Sequence, residues 1–130
     1  GLKFLGPMAA QSLIMFNRII YPMAVWVSGQ RRFYPNWEVE KILCIPLRHL
    51  LDRAKYARYR LRIQNPPSGD SLKTFPCFRY QKAGEADILW GATYRITIGF
   101  LKRAFGFEPP DMHSLPEIQG RLSRNYTASN

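Results

Sequence analysis

Arg58-Tyr59-Arg60-Leu61-Arg62-Ile63 alternates a cation with an apolar or aromatic side chain at every step. A period of two marks a β-strand, because successive side chains leave the backbone on opposite sides. The stretch therefore predicts a strand with one basic face and one apolar face. Just before it, Pro46 suits the first turn of a helix. Leu47, Leu50, Leu51 and Ala54 then recur at helical spacing. That pattern predicts a short helix over residues 47–57. Just after it, Asn65-Pro66-Pro67-Ser68-Gly69-Asp70 is a strong turn. A returning strand is expected over 74–81, with Phe75, Cys77 and Phe78, and Ala83-Gly84 turns the chain again.

Ile88-Leu89-Trp90 predicts a short buried strand that Gly91 breaks. A helix over 92–105 follows, with Thr93, Ile96, Thr97, Phe100, Leu101, Ala104 and Phe105 as its apolar stripe. Gly106 suits the left-handed position after a helix end. Pro109-Pro110 should stop regular structure, leaving 109–130 as a polar, loosely ordered tail. Upstream, 39–45 alternates and ends in apolar residues, which predicts a buried strand. Gly29–Arg32 and Pro35-Asn36 read as turns. Residues 14–27 read as one strand interrupted by Pro22, and 2–10 as another. The sum is an α+β or mixed α/β fold with a mixed sheet, a short helix and a C-terminal helix.

Composition narrows the function classes. Eight Phe, seven Tyr and three Trp in 130 residues supply enough apolar material for a core, which argues against a disordered chain. The longest apolar runs, such as Met23–Val27, fall far short of the ~20 residues that cross a bilayer. No membrane partner and no secretory leader are expected, and the setting reads as cytoplasmic. The net charge of +10 favours polyanions without choosing among them. Cys44 and Cys77 lack metal-ligand spacing and read as reduced core thiols. His49 and His113 have no nucleophile or carboxylate at a telling spacing, and His49 is expected on the exposed face of the short helix. Lys55, Arg58, Arg60 and Arg62, interleaved with Tyr56 and Tyr59, offer phosphate contacts and stacking surfaces for RNA or DNA.

Two segments carry a family resemblance. One is Pro35-Asn36-x-Glu38-Val39 running through Pro46-Leu47 to Leu50-Leu51. The other is Phe75-Pro76-Cys77-Phe78-x-Tyr80 followed by Ile88-Leu89-Trp90-Gly91-Ala92-Thr93. Their order and spacing, with Ile20-Tyr21-Pro22-Met23 as a weaker third match, resemble the C-terminal half of a Nudix domain of the coenzyme A diphosphatase type. Asn36, Glu38, Pro46, Leu47, Trp90, Gly91, Ala92 and Thr93 are the matching positions. The resemblance implies a partial Nudix-like domain over 1–108. It also implies a parent that hydrolyses a nucleoside diphosphate-linked substrate, such as coenzyme A, with Mg²⁺ or Mn²⁺. Arg58, Arg60 and Arg62 would then meet substrate phosphates, and Glu85 would be the catalytic base or an extra metal ligand.

The departure from the family is as informative. The Nudix box, Gly-x5-Glu-x7-Arg-Glu-x2-Glu-Glu-x-Gly, occurs nowhere in the sequence, and only Gly1-Leu2 would suit its last positions. The resemblance thus implies a truncated domain that is inactive alone and binds metal poorly. It would be left with an incomplete sheet for a second copy or a partner chain to complete.

Overall fold

The computed structural model describes residues 1–13, 17–29, 32–65 and 69–122. In chain order the strands and helices are β1 (Leu2–Pro7), β2 (Gln11–Leu13), β3 (Arg18–Ile20), β4 (Met23–Val27), α1 (Leu47–Leu50), β5 (Tyr56–Asn65), β6 (Gly69–Lys82), β7 (Glu85–Trp90), α2 (Gly91–Phe105) and β8 (Glu117–Leu122). Short 3-10 turns lie at Arg53–Lys55 and Met112–Ser114. The fold is α+β with a mixed sheet, as expected.

The Arg58–Ile63 alternation forms the middle of β5, an inner strand of the four-stranded sheet β7-β6-β5-β8. β6 pairs antiparallel with β5 and with β7, whereas β8 runs parallel to β5. A parallel neighbour needs a long crossover, and the path from β7 through α2 to β8 supplies it. Pro76 is tolerated inside β6 for a geometric reason. Its partner Arg58 donates its backbone N–H to Pro116 on the β8 side. The N–H that Pro76 lacks would therefore point away from β5. In that direction β7 has already ended, since Trp90 pairs with Cys77.

The core lies on one face of this sheet. Tyr56, Phe78 and Tyr80 meet Leu50, Tyr94, Leu101 and Leu115, all buried. Aromatic edges fit together there, with the Tyr56 and Phe78 centroids 5.2 Å apart at 67°. The Tyr56 hydroxyl donates to the Leu50 carbonyl, so burial leaves no unpaired group. Gly106 closes α2 at φ 64°, the left-handed geometry expected of it. The buried positions of α2 are Tyr94 and Leu101, whereas Thr93, Ala104 and Phe105 are exposed. The expected stripe is thus rotated. Phe100 packs at the edge of the core and, with Ala104, also borders an open groove of about 440 Å³ against Leu5, Gly6, Pro7 and Ala24. Apolar residues on both flanks of the helix blur a single-stripe reading.

Five expectations are corrected. Residues 39–45 form no strand. Period two in the sequence does not supply a pairing partner, and this segment is tied instead by side chains and by Ile45 packing on the core. The helix expected over 47–57 ends after one turn. Asp52 accepts from the Ala54 N–H at 3.0 Å, which diverts the backbone into a 3-10 turn before β5 begins. Residues 17–27 hold two strands in different sheets rather than one, with Asn17 turning at φ 49° and Pro22 falling between β3 and β4. The part of that expectation on 14–16 lies outside the described residues, as does the tail from 123 onward. Pro109-Pro110 do not end regular structure, because Asp111 caps a 3-10 turn and β8 then joins the sheet. Cys44 is exposed rather than a core thiol, since no strand forms there to alternate it inward; Cys77 is buried as expected.

Candidate functional site

β5 positions the arginines. Its register with β6 and β8 puts Tyr56, Arg58, Arg60 and Arg62 on the face that also holds the core. Tyr56 is consumed by that core, and the arginines follow it toward the far end of the sheet. Arg60 Nη1 lies 3.6 Å from Glu117 Oε1, and Arg62 Nη1 lies 4.0 Å from Asp70 Oδ2. Both pairs are well exposed and worth little to stability. Arg58 differs. It is half-buried, and its Nε is shielded from solvent with no hydrogen-bond partner. A guanidinium N–H left without an acceptor is rare, because its desolvation is uncompensated.

The expected interleaving of cations and aromatics is split by the sheet. Tyr59 projects to the opposite face, where its ring centroid lies 5.6 Å from Trp90. Lys55 sits in the 3-10 turn before the strand. No continuous stripe of Arg and Tyr exists on either face.

Glu85 opens β7 and is strongly exposed. Its carboxylate accepts from Lys41 Nζ at 3.2 Å, and the same ammonium donates to Asp87 Oδ2 at 2.9 Å. The bond to Asp87 first, then that to Glu85, holds the Lys41 proton above its ordinary range. This arrangement does not fit the divalent metal that the resemblance implies. Mg²⁺ needs several oxygen ligands converging on one point. Here an ammonium already occupies the space between the two carboxylates. Among the described residues no group of three or more His, Cys, Asp or Glu comes together. Lys41 and Asp87 escaped sequence reading because 46 residues separate them.

The matching positions of the first segment serve a turn. Asn36 Oδ1 accepts from the backbone N–H of Glu38 and of Val39, both at 3.1 Å, and Glu38 itself is exposed. Pro46 precedes α1, and Leu47 is exposed. In the second segment, Trp90 precedes α2, and Gly91, Ala92 and Thr93 form its first turn. The two segments touch: Lys41 reaches Asp87, and the Tyr80 hydroxyl donates to the Cys44 carbonyl at 3.4 Å. His49 is only partly exposed, its ring 5.9 Å from that of Tyr80. His113 is exposed in the turn capped by Asp111. No helix among the described residues is long and apolar enough to cross a membrane. No family model, curated protein or solved structure matches this chain.

Proposed function

We propose that this chain is part of a Nudix-like domain related to the coenzyme A diphosphatases, and that it binds a nucleotide-linked phosphate without hydrolysing it alone. The observation that carries this reading is the junction between the two resembling segments. Far apart in sequence, they are joined through Lys41–Asp87 and Tyr80–Cys44. The phosphate falls to the half-buried Arg58, with the more exposed Arg60 and Arg62 alongside. No hydrolytic step is assigned, because the sequence lacks the glutamate-rich box and Glu85 is engaged by Lys41. A cytoplasmic setting accords with two unpaired thiols.

Titration calorimetry with coenzyme A and with ADP, with and without Mg²⁺, tests the reading. Binding should weaken about 10-fold in Arg58→Gln, the scale of a lost charged hydrogen bond. No phosphopantetheine should form. Absence of binding to either ligand sinks the assignment, and turnover at ~1–10³ s⁻¹ shows that the box is dispensable.

A second reading, a non-catalytic scaffold subunit, is favoured by the β1–β4 ribbon. Leu2, Phe4, Val25 and Val27 share one of its faces and are all exposed. A strictly monomeric species in sedimentation counts against it.

A further inference from the structure

The four-stranded sheet distributes its charge unequally. Asp70, Glu85, Asp87 and Glu117 are the carboxylates of its strands, and all share the face of Arg58, Arg60 and Arg62. Among the described residues of these strands, the opposite face carries none. Along β6 that face presents Lys73, Phe75, Cys77 and Arg79 in a row. Trp90 from β7 reaches across the row to Tyr59 of β5, 5.6 Å between centroids, and Phe75 lies 5.4 Å from Trp90. These three rings are half-buried, while Ala57, Leu61 and Cys77 beneath them are buried. The rings therefore roof the small residues and turn their outer surface to solvent. The helices do not cover them, since Leu50 of α1 and Tyr94 and Leu101 of α2 pack with Tyr56 and Phe78 on the other face.

Lys73 and Arg79 flank the rings. Both are exposed, and neither enters an ion pair among the described residues. They stand six residues apart on one strand. At ~3.3 Å per residue that separation is roughly 20 Å. A complementary ligand carries negative charge at two points about that far apart, with flat groups between them. A single nucleotide is too short. A peptide of acidic residues alone matches the charges but offers no aromatic groups to the rings. Single-stranded nucleic acid has both features: phosphates for lysine and arginine, and bases that stack on aromatic side chains.

We propose that this acid-free aromatic face binds single-stranded nucleic acid, with Lys73 and Arg79 at phosphates and Phe75 and Trp90 against bases. It lies on the reverse side of the sheet from the arginines and stands independently of the Nudix-like reading.

The test uses the full chain and a fluorescein-labelled oligothymidylate or oligouridylate of about 12 nucleotides, within the span that single-strand grooves occupy. Anisotropy is followed across a salt series. Lys73→Glu with Arg79→Glu should weaken binding at least 10-fold, on the order expected for two lost phosphate contacts. The slope of log affinity against log salt should fall by about 1.4, or ~0.7 per phosphate. Phe75→Leu should weaken binding about 5-fold or more while leaving the salt slope unchanged. The charge-matched pair Arg48→Glu with Arg103→Glu, exposed and away from this face, should cost less than about 3-fold. Equal losses in the two charge-reversed proteins overturn the proposal in favour of a general positive field. Equal competition by polyglutamate overturns it in favour of an acidic peptide, and no binding at low salt overturns it outright. If Phe75→Leu fails to fold by circular dichroism, the Lys73 and Arg79 pair decides alone, because both side chains are exposed.

Discussion

A Cβ placed on Gly120 would lie 2.3 Å from the ring of Tyr59. The absence of a side chain in β8 is what lets Tyr59 lie flat over it. Gly120→Ala must displace the ring, and should cost ~1–3 kcal/mol in a urea melt, the usual scale of overpacking. A change below about 0.5 kcal/mol would show that the ring moves aside freely. The two thiols differ just as locally. Cys44 is exposed, whereas burial pushes Cys77 up from its ordinary 9.0 to about 11. Iodoacetamide at pH 8 should therefore add one group to the native chain, at Cys44, and a second only after denaturation. Rapid double labelling of the native protein would contradict the buried position of Cys77. Neither distinction was legible beforehand, because both cysteines sit in apolar sequence and their exposure depends on whether a strand forms around them.

Among the elements, β5 was legible as a strand because its alternation is strict over six residues. Residues 39–45 alternate too, yet stay irregular, since a strand exists only where another offers a ladder. α2 was legible in extent, including its glycine end, but not in orientation. Leu101 is fully buried between helix and sheet, while Phe105 is half exposed, its ring edge-on to that of Phe100. Leu101→Ala should lose ~2–5 kcal/mol by leaving a cavity. Phe105→Ala should lose no more than about 1 kcal/mol. Chemical denaturation of the two variants ranks them, and the reverse order would mean that α2 presents its other side to the sheet. Parallel pairing of β8 could not be foreseen, because it depends on a crossover that returns the chain beside β5 after 51 residues (Asn65 and Glu117 bracket it) and not on anything local to Glu117–Leu122.

At the scale of the whole molecule, buried titratable groups make stability fall in alkali. Burial raises Cys77 to about 11 and Tyr94 to about 12, and raises Tyr56 and Tyr59 as well. The folded chain holds these protons while the unfolded chain releases them. Their contribution is therefore complete below about pH 9 and drains away as pH climbs through 11 to 12. Urea midpoints measured from pH 7 to 11 should be level at first and then decline. A midpoint that rises above pH 9 would refute the burial of these groups. The sequence by itself determined the class of fold, the basic balance, the β5 alternation and the end of α2, because each rests on local spacing and backbone preference. Only the tertiary structure decided which side of β5 met the core, that the strand carboxylates gathered beside the arginines, and that Lys41 closed on Asp87 and Glu85. Those outcomes depend on register between strands distant in sequence, and a shift of one residue would exchange the two faces.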